Sequence, residues 1–211
     1  MLANQQPSLD LQNSSLALIA SRLRILRSLQ VANNPLLTDK ELEEVLSHCK
    51  QLENFDLQNC PKIGDKTLHA LTDKVCTLRA LRWIGNGATA PATYLRLAKN
   101  CPRLCSLNLS GCSSFSTDIC RSLLASCPSL AYLDLSFCPL EDGAFASANP
   151  SLTFLNLQGC TTLTDHTLRH LARLPSLRHL YLAFNDRITK NGLRALSHLK
   201  TLKLYACKNV L

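Results

Sequence analysis

A right-handed α/β solenoid, with parallel strands on its concave face and helices on its convex face, is the fold class that this 211-residue sequence predicts. Three observations predict it. A nine-residue pattern, L-x-x-L-x-L-x-x-C/N, recurs through the chain; its L-x-L part alternates with a period of two; and helix-start signals and apolar residues spaced three and four apart follow it. One strand and one helix per unit, stacked in parallel, bury a continuous core and bend the stack so that the strands line its inner side.

A partial copy opens the array at Leu9 and Leu11. Full copies follow at Leu26, Leu29, Val31, Asn34; Leu52, Phe55, Leu57, Cys60; Leu78, Leu81, Trp83, Asn86; and Leu104, Leu107, Leu109, Cys112. They continue at Leu130, Leu133, Leu135, Cys138; Leu152, Leu155, Leu157, Cys160; Leu177, Leu180, Leu182, Asn185; and Leu199, Leu202, Leu204, Cys207. Successive copies are 26, 26, 26, 26, 22, 25 and 22 residues apart. Between them, Thr38-Asp39-Lys40-Glu41 has the form of a capping box, and Gly64-Asp65, Ser116-Thr117 and Thr164-Asp165 occupy comparable helix starts. Leu42, Val45, Leu46 and Leu68, Leu71, Val75 supply the helical apolar spacing. Residues 1–211 are therefore expected to form one array of about eight full repeats plus the partial first one.

With 46% apolar, 18% charged and 5% aromatic residues, the composition is that of a globular chain. Eleven cysteines would befit a disulfide framework in a short secreted chain, but this count is odd and the chain is long. From Met1 to Leu18 no Lys or Arg precedes the apolar residues, and Leu16–Ala20 falls far short of the roughly 20 residues that cross a bilayer. A cytoplasmic or nuclear address without membrane attachment is expected. Cys60, Cys112, Cys138, Cys160 and Cys207 share one repeat position, and Cys49, Cys101 and Cys127 another, so their spacing is that of the repeat; no C-x-x-C pair marks a metal site. His48, His69, His170 and His198 fall within expected helices, and no nucleophile-elbow or phosphate-loop motif is present. The sequence thus assigns no catalytic residue, metal or cofactor, and the chain is read as a non-enzyme. Residues 169–211 hold nine basic groups against the single acid Asp186, which equals the whole net charge of +8. That asymmetry fits an acidic or phosphorylated partner at the C-terminal end.

The stretches LCSLNLSGCSSFSTDICRSLLASCPSL, from Leu104 to Leu130, and SLTFLNLQGCTTLTDHTLRHLAR resemble the cysteine-containing leucine-rich repeats. In that family the array is the substrate-receptor part of F-box proteins of SCF-type ubiquitin ligases, and it also occurs in relatives without an F-box. The resemblance implies a protein-interaction module that recognises substrates for ubiquitin-dependent protein catabolism. An F-box would lie in helical sequence ahead of the array, yet a strand signal already stands at Leu9. The chain is therefore expected either to be a fragment of a longer product or to belong with the relatives that lack an F-box. A general scaffold unrelated to ubiquitin is the alternative. Nucleic acid is a weaker reading, because Arg169, Arg173 and Arg194 fall on helices that a solenoid turns outward.

Strand alternation locates the candidate surface for a substrate or adaptor. With the leucines inward, the residues between them face out from the concave sheet. The central column reads Gln30, Asp56, Arg82, Asn108, Asp134, Asn156, Tyr181 and Lys203, and the column before it ends in Tyr132, Phe154, His179 and Thr201. The column after it ends in Tyr205. Tyr132, Phe154, Tyr181 and Tyr205 are expected to form one aromatic patch, rimmed by Asp134, Asn156 and Lys203, with Asp56, Arg82 and Asn108 extending the surface.

Overall fold

The computed structural model describes residues 8–10, 20–75, 77–147 and 149–210. Among them a single sheet runs in strand order: β1 (Ser8–Asp10), β2 (Ser28–Ala32), β3 (Asn54–Gln58), β4 (Ala80–Ile84), β5 (Ser106–Asn108), β6 (Tyr132–Asp134), β7 (Phe154–Asn156), β8 (His179–Tyr181) and β9 (Thr201–Lys203). Every adjacent pair is parallel, and like repeat positions face one another, as in Leu29↔Phe55↔Leu81↔Leu107↔Leu133↔Leu155↔Leu180↔Leu202. The partial first copy is present in β1, where Leu9 pairs with Leu29; Leu11 and the Met1–Leu18 region otherwise lie outside the described residues. The chain is an α/β leucine-rich-repeat solenoid.

Period-two alternation gives the sheet its inner face. Leu29, Val31, Leu57, Leu107, Leu109, Leu133, Leu135, Leu155, Leu157, Leu180 and Leu182 are fully buried, each such side chain contributing roughly 1.5–3 kcal/mol. Helices α1 (Asp39–His48), α2 (Asp65–Lys74), α3 (Pro91–Asn100) and α4 (Thr117–Ser126) pack behind the strands, followed by α5 (Asp165–Leu171) and α6 (Lys190–Leu193). Leu42, Val45, Leu46, Leu68, Leu71 and Val75 all reach the core. The capping box at α1 forms, with the Glu41 carboxylate accepting from the Thr38 N–H and hydroxyl at 2.9 Å.

Helix length follows repeat length. Four repeats of 26 residues carry ten-residue helices, the 25-residue repeat carries seven, and one 22-residue repeat keeps only α6 plus a 3₁₀ turn at Arg194–Leu196. In the other 22-residue repeat, between β6 and β7, residues 142–147 form turns instead of the expected helix, with Gly143 at φ 91°. Removing four residues removes about one helical turn, and buried Ala144 and Phe145 fill the space. His198, expected in a helix, sits in the turn after the 3₁₀ segment.

Two ladders bind repeat to repeat. The residue at the Cys/Asn position donates to the carbonyl of the last strand leucine, or its equivalent, one repeat back: Asn86 to Leu57 (3.0 Å), Cys112 to Trp83 (3.7 Å), Cys138 to Leu109 (3.2 Å), Cys160 to Leu135 (3.3 Å), Asn185 to Leu157 (2.8 Å) and Cys207 to Leu182 (3.0 Å). On the helix side, a carboxylate caps the next repeat's helix start. Asp39 accepts from the N–H groups of Gly64 and Thr67, Asp65 from Ala90, Asp142 from Thr164 and Thr167, and Asp165 from Thr189.

Cys49, Cys60, Cys105, Cys112, Cys120, Cys127, Cys138, Cys160 and Cys207 are free thiols. Burial pushes the Cys49 and Cys127 thiols up to about 11 and Cys160 to about 12, and it raises Cys120 and Cys138 further. Cys112, at the same repeat position as the buried ladder thiols, is only half-buried, like Cys105, although burial still raises its thiol. Alkylation of the native protein is expected to modify Cys105 first, Cys112 more slowly because burial raises its thiol, and the buried thiols only after denaturant is added. Peptide mapping that finds Cys138 and Cys160 labelled as fast as Cys105 would contradict this.

Candidate functional site

The parallel register carries like positions across the concave face at the strand spacing of about 4.8 Å. It aligns Tyr132 with Phe154 and His179, and Asp134 with Asn156, Tyr181 and Lys203. Their neighbours Leu133, Leu155 and Leu180 point the opposite way into the core, so the rings have only one another for company. Tyr132 and Phe154 stack at 4.3 Å and 7°, and Phe154 meets the edge of Tyr181 at 5.0 Å and 69°. His179 lies 6.4 Å from Phe154, with its Nδ1 3.0 Å from the Thr201 hydroxyl. The Lys203 ammonium sits 4.3 Å above the Tyr181 ring, a cation–π contact. Burial raises the Tyr132 phenol above its ordinary value, and the charge of Asp134 adds to that while Arg82 opposes it. The result is a half-buried aromatic shelf with a cation at one end.

The N-terminal half of the face is hollow where the C-terminal half is filled. Ser28, Asn54, Ala80 and Ser106 occupy the ring column, and their small side chains leave a groove of about 490 Å³ that ends against Tyr132. Asp56, Arg82 and Asn108 lie along it. Asp56 accepts from Gln58 at 2.8 Å, whereas Arg82 is exposed and joins none of the ion pairs among the described residues.

Asp134 and Asn156 differ from the expected polar rim. Asp134 is 8% exposed. Its carboxylate accepts from Asn108 Nδ2 (3.4 Å), Asn156 Nδ2 (3.0 Å), the Ser136 N–H (3.0 Å) and the Ser136 hydroxyl (2.7 Å). Asn108 and Asn156 in turn accept from the N–H two residues on, in Ser110 and Gln158. The three side chains close the strand ends as Asx-type turns, which spends most of their hydrogen-bonding capacity inside the protein.

Tyr205 also departs from the single patch. Lying two residues beyond Lys203, it leans over the C-terminal edge of the sheet, where its hydroxyl donates to Gln158 at 2.8 Å and its ring meets Phe184 at 5.4 Å and 84°. Phe184 and Phe137 were not among the residues expected from strand alternation, because they lie just past the strands. The position before each ladder residue is left-handed in every full repeat, at φ 53–75°: Asn33, Asn59, Gly85, Gly111, Phe137, Gly159, Phe184 and Ala206. Glycine and asparagine are the residues suited to it. A phenylalanine there twice is the sequence signal that strand periodicity passes over.

The only acid of the C-terminal stretch, Asp186, is held by Lys208 at 2.8 Å, a hydrogen-bonded pairing that lowers its carboxyl and raises the ammonium. No group of three or more His, Cys, Asp or Glu among the described residues is placed to hold a metal, and no helix among them is long and apolar enough to cross a membrane.

The family model described as Leucine Rich repeat matches residues 126–144, 148–166 and 173–197. F-box/LRR-repeat protein 4 of Bos taurus is 32% identical over 178 residues, which is 80% of this chain and 28% of that protein. F-box/LRR-repeat protein 5 of Danio rerio is 39% identical over 72 residues, 32% of this chain and 11% of that protein. The chain therefore spans well under a third of the length of these curated relatives. Among solved structures, one from the crystal structure of the Rad7 and Elc1 complex in yeast superimposes with a TM-score of 0.67 at 21% identity, covering 92% of this chain and 60% of that one, a likeness of fold.

Proposed function

The chain belongs to the leucine-rich-repeat arrays of the F-box/LRR type, and from that premise we propose that it recognises protein substrates for ubiquitin-dependent turnover, acting in the cytoplasm or nucleus without chemistry of its own. The observation that carries this reading is the aromatic shelf of Tyr132, Phe154 and Tyr181 with Lys203 at its end. Large rings gathered on one face, backed by a rigid sheet, have the make-up of an interface anchor, and the hollow beside them accepts the polar part of a docked segment. The names of the relatives support the link to F-box proteins. Affinity capture of the full-length protein from cells with the proteasome inhibited is the test. Cullin-ligase subunits are expected together with a set of proteins that disappears when the shelf is mutated. Capture of that set with no ligase subunit would leave a general scaffold instead.

The basic end gives a kinetic expectation. Exposed charges are screened over about 8 Å at physiological ionic strength, so association with an acidic partner should slow as salt is added. Charge reversal at Arg178 or Lys203 should slow it more than reversal at Arg121, whose guanidinium already pairs with Asp118 on α4. Equal effects at all three in stopped-flow measurements would mean the basic residues are only a solvated surface.

A further inference from the structure

Phe137 and Phe184 hold left-handed backbone, at φ 60° and 61°, yet remain 53% and 45% exposed. That conformation is unfavourable for a bulky side chain, and core packing does not offset it at such exposure. The rings are nevertheless held in place. Phe137 leans over Gly159, where a Cβ would collide with its ring. Phe184 meets Tyr205 edge to face, and Tyr205 is 55% exposed and fixed through its hydroxyl to Gln158. Tyr205 lies two residues past Lys203 at the end of β9, so the sheet edge joins the Phe184–Tyr205 pair to the aromatic shelf.

The charges around them fix what can bind. The only carboxylate side chain in residues 169–211, Asp186, is taken by Lys208, while Arg187 is exposed and joins none of the ion pairs among the described residues. Asp134, on the shelf beside Tyr132, is buried in its own hydrogen bonds. The surface therefore offers rings and unopposed cations. A single nucleic-acid strand would need open ring faces, but Tyr132 and Phe154 cover each other, and Lys203 covers one face of Tyr181. Exposed edges and half-faces suit aliphatic or aromatic side chains.

We propose that Phe137, Phe184 and Tyr205 form a rim subsite that takes an apolar side chain of an acidic linear peptide segment, the rest of which crosses the concave shelf. This rests on the shelf being the docking face, and the experiment separates the two. Fluorescence anisotropy at low salt would use short dye-labelled peptides with leucine or phenylalanine flanked by glutamates, lysine-flanked counterparts, and a single-stranded oligothymidylate. The glutamate-flanked peptides should bind tightest. The F137N/F184N pair, using the residue already found at Asn33 and Asn59, should weaken them by about tenfold or more without lowering the melting temperature. Phe184→Gly alone should reproduce the direction of both readouts. Unchanged affinity in both variants, equal binding of the lysine-flanked peptides, or tighter binding of oligothymidylate would overturn the proposal. Loss of binding in the rim variants but not in the Tyr132/Phe154/Tyr181 alanine variant would keep the rim subsite and remove the shelf.

Discussion

Replacing Tyr132, Phe154 and Tyr181 together with alanine is expected to abolish capture of the protein's partners while leaving a folded, cooperative solenoid. The two effects separate because each ring stands on the side of its strand opposite the core. The inward neighbours Leu133, Leu155 and Leu180 are fully buried and remain in place. What the variant loses internally is the contact between rings, about 0.5–1.5 kcal/mol for each aromatic pair. Leu155→Ala, by contrast, opens a core cavity at about 2–5 kcal/mol and should lower the melting temperature far more. For binding the order reverses. An anchor at the centre of an interface is worth upwards of about 2 kcal/mol, roughly thirtyfold in affinity, and three together exceed the range of most binding assays. Phe154 should matter most of the three, because it alone touches Tyr132, His179 and Tyr181. Arg121→Ala, on the convex helix α4, should change neither property. Isothermal titration with an identified partner decides it: a triple variant that binds like the parent, with the melting curve intact, moves the site off the shelf.

The repeat was legible because one constraint writes it many times. Each repeat from β2 to β8 buries two leucine-type residues on one side, so the period-two pattern and its register could be followed from Leu26 to Cys207, and the columns of the concave face followed with them. Tyr132, Phe154, Tyr181 and Lys203 were found from alternation alone. What stayed hidden depends on things other than side-chain period. Asp134 occupies an outward position in its strand, and the carboxamides of the neighbouring repeats, at Asn108 and Asn156, join its own Ser136 in turning it into a buried acceptor. Tyr205 is outward too, but nothing in a linear reading shows that Gln158, 47 residues earlier, supplies the acceptor that pulls it to the sheet edge. Phe137 and Phe184 lie where backbone handedness, not hydrophobic period, distinguishes one residue from another. The helix expected between β6 and β7 is replaced by turns at 142–147, and the 22-residue step alone does not single it out, since the other 22-residue repeat keeps a short helix.

That helixless repeat is where the stack should be easiest to break, through Asp142. Its carboxylate accepts from the Thr164 N–H (3.0 Å), the Thr167 N–H (3.3 Å) and both threonine hydroxyls (2.5 Å each), so it holds the N-terminal turn of α5 against a unit that has no helix to pack there. Thr167 is fully buried. Asp142→Ala would therefore strand the buried Thr167 hydroxyl and the Thr164 N–H, while the Thr167 N–H keeps the Thr164 carbonyl at 3.1 Å, a loss of about 2–3 kcal/mol. Burial pushes the Asp142 carboxyl up, but the hydrogen bonds from Thr164 and Thr167 outweigh it and hold the group below its ordinary value. A carboxyl lowered in the folded state adds stability that is fully present above its unfolded pKa, about 3.9, and is lost as pH falls through the folded value. The gap between parent and Asp142→Ala in urea melts should thus be wide at neutral pH and should narrow below about pH 4. Asp142→Asn, which keeps one acceptor, should fall between them. Asp118→Ala is the control, because its exposed ion pair with Arg121 is worth at most about 1 kcal/mol. In a solenoid each unit touches only its neighbours, so the weakened junction should open locally before the whole array does, with faster amide exchange at α5 than at α1. Equal destabilisation by Asp142→Ala and Asp118→Ala, or a gap that stays constant from neutral to acid pH, would show that the carboxylate is not what joins the two units.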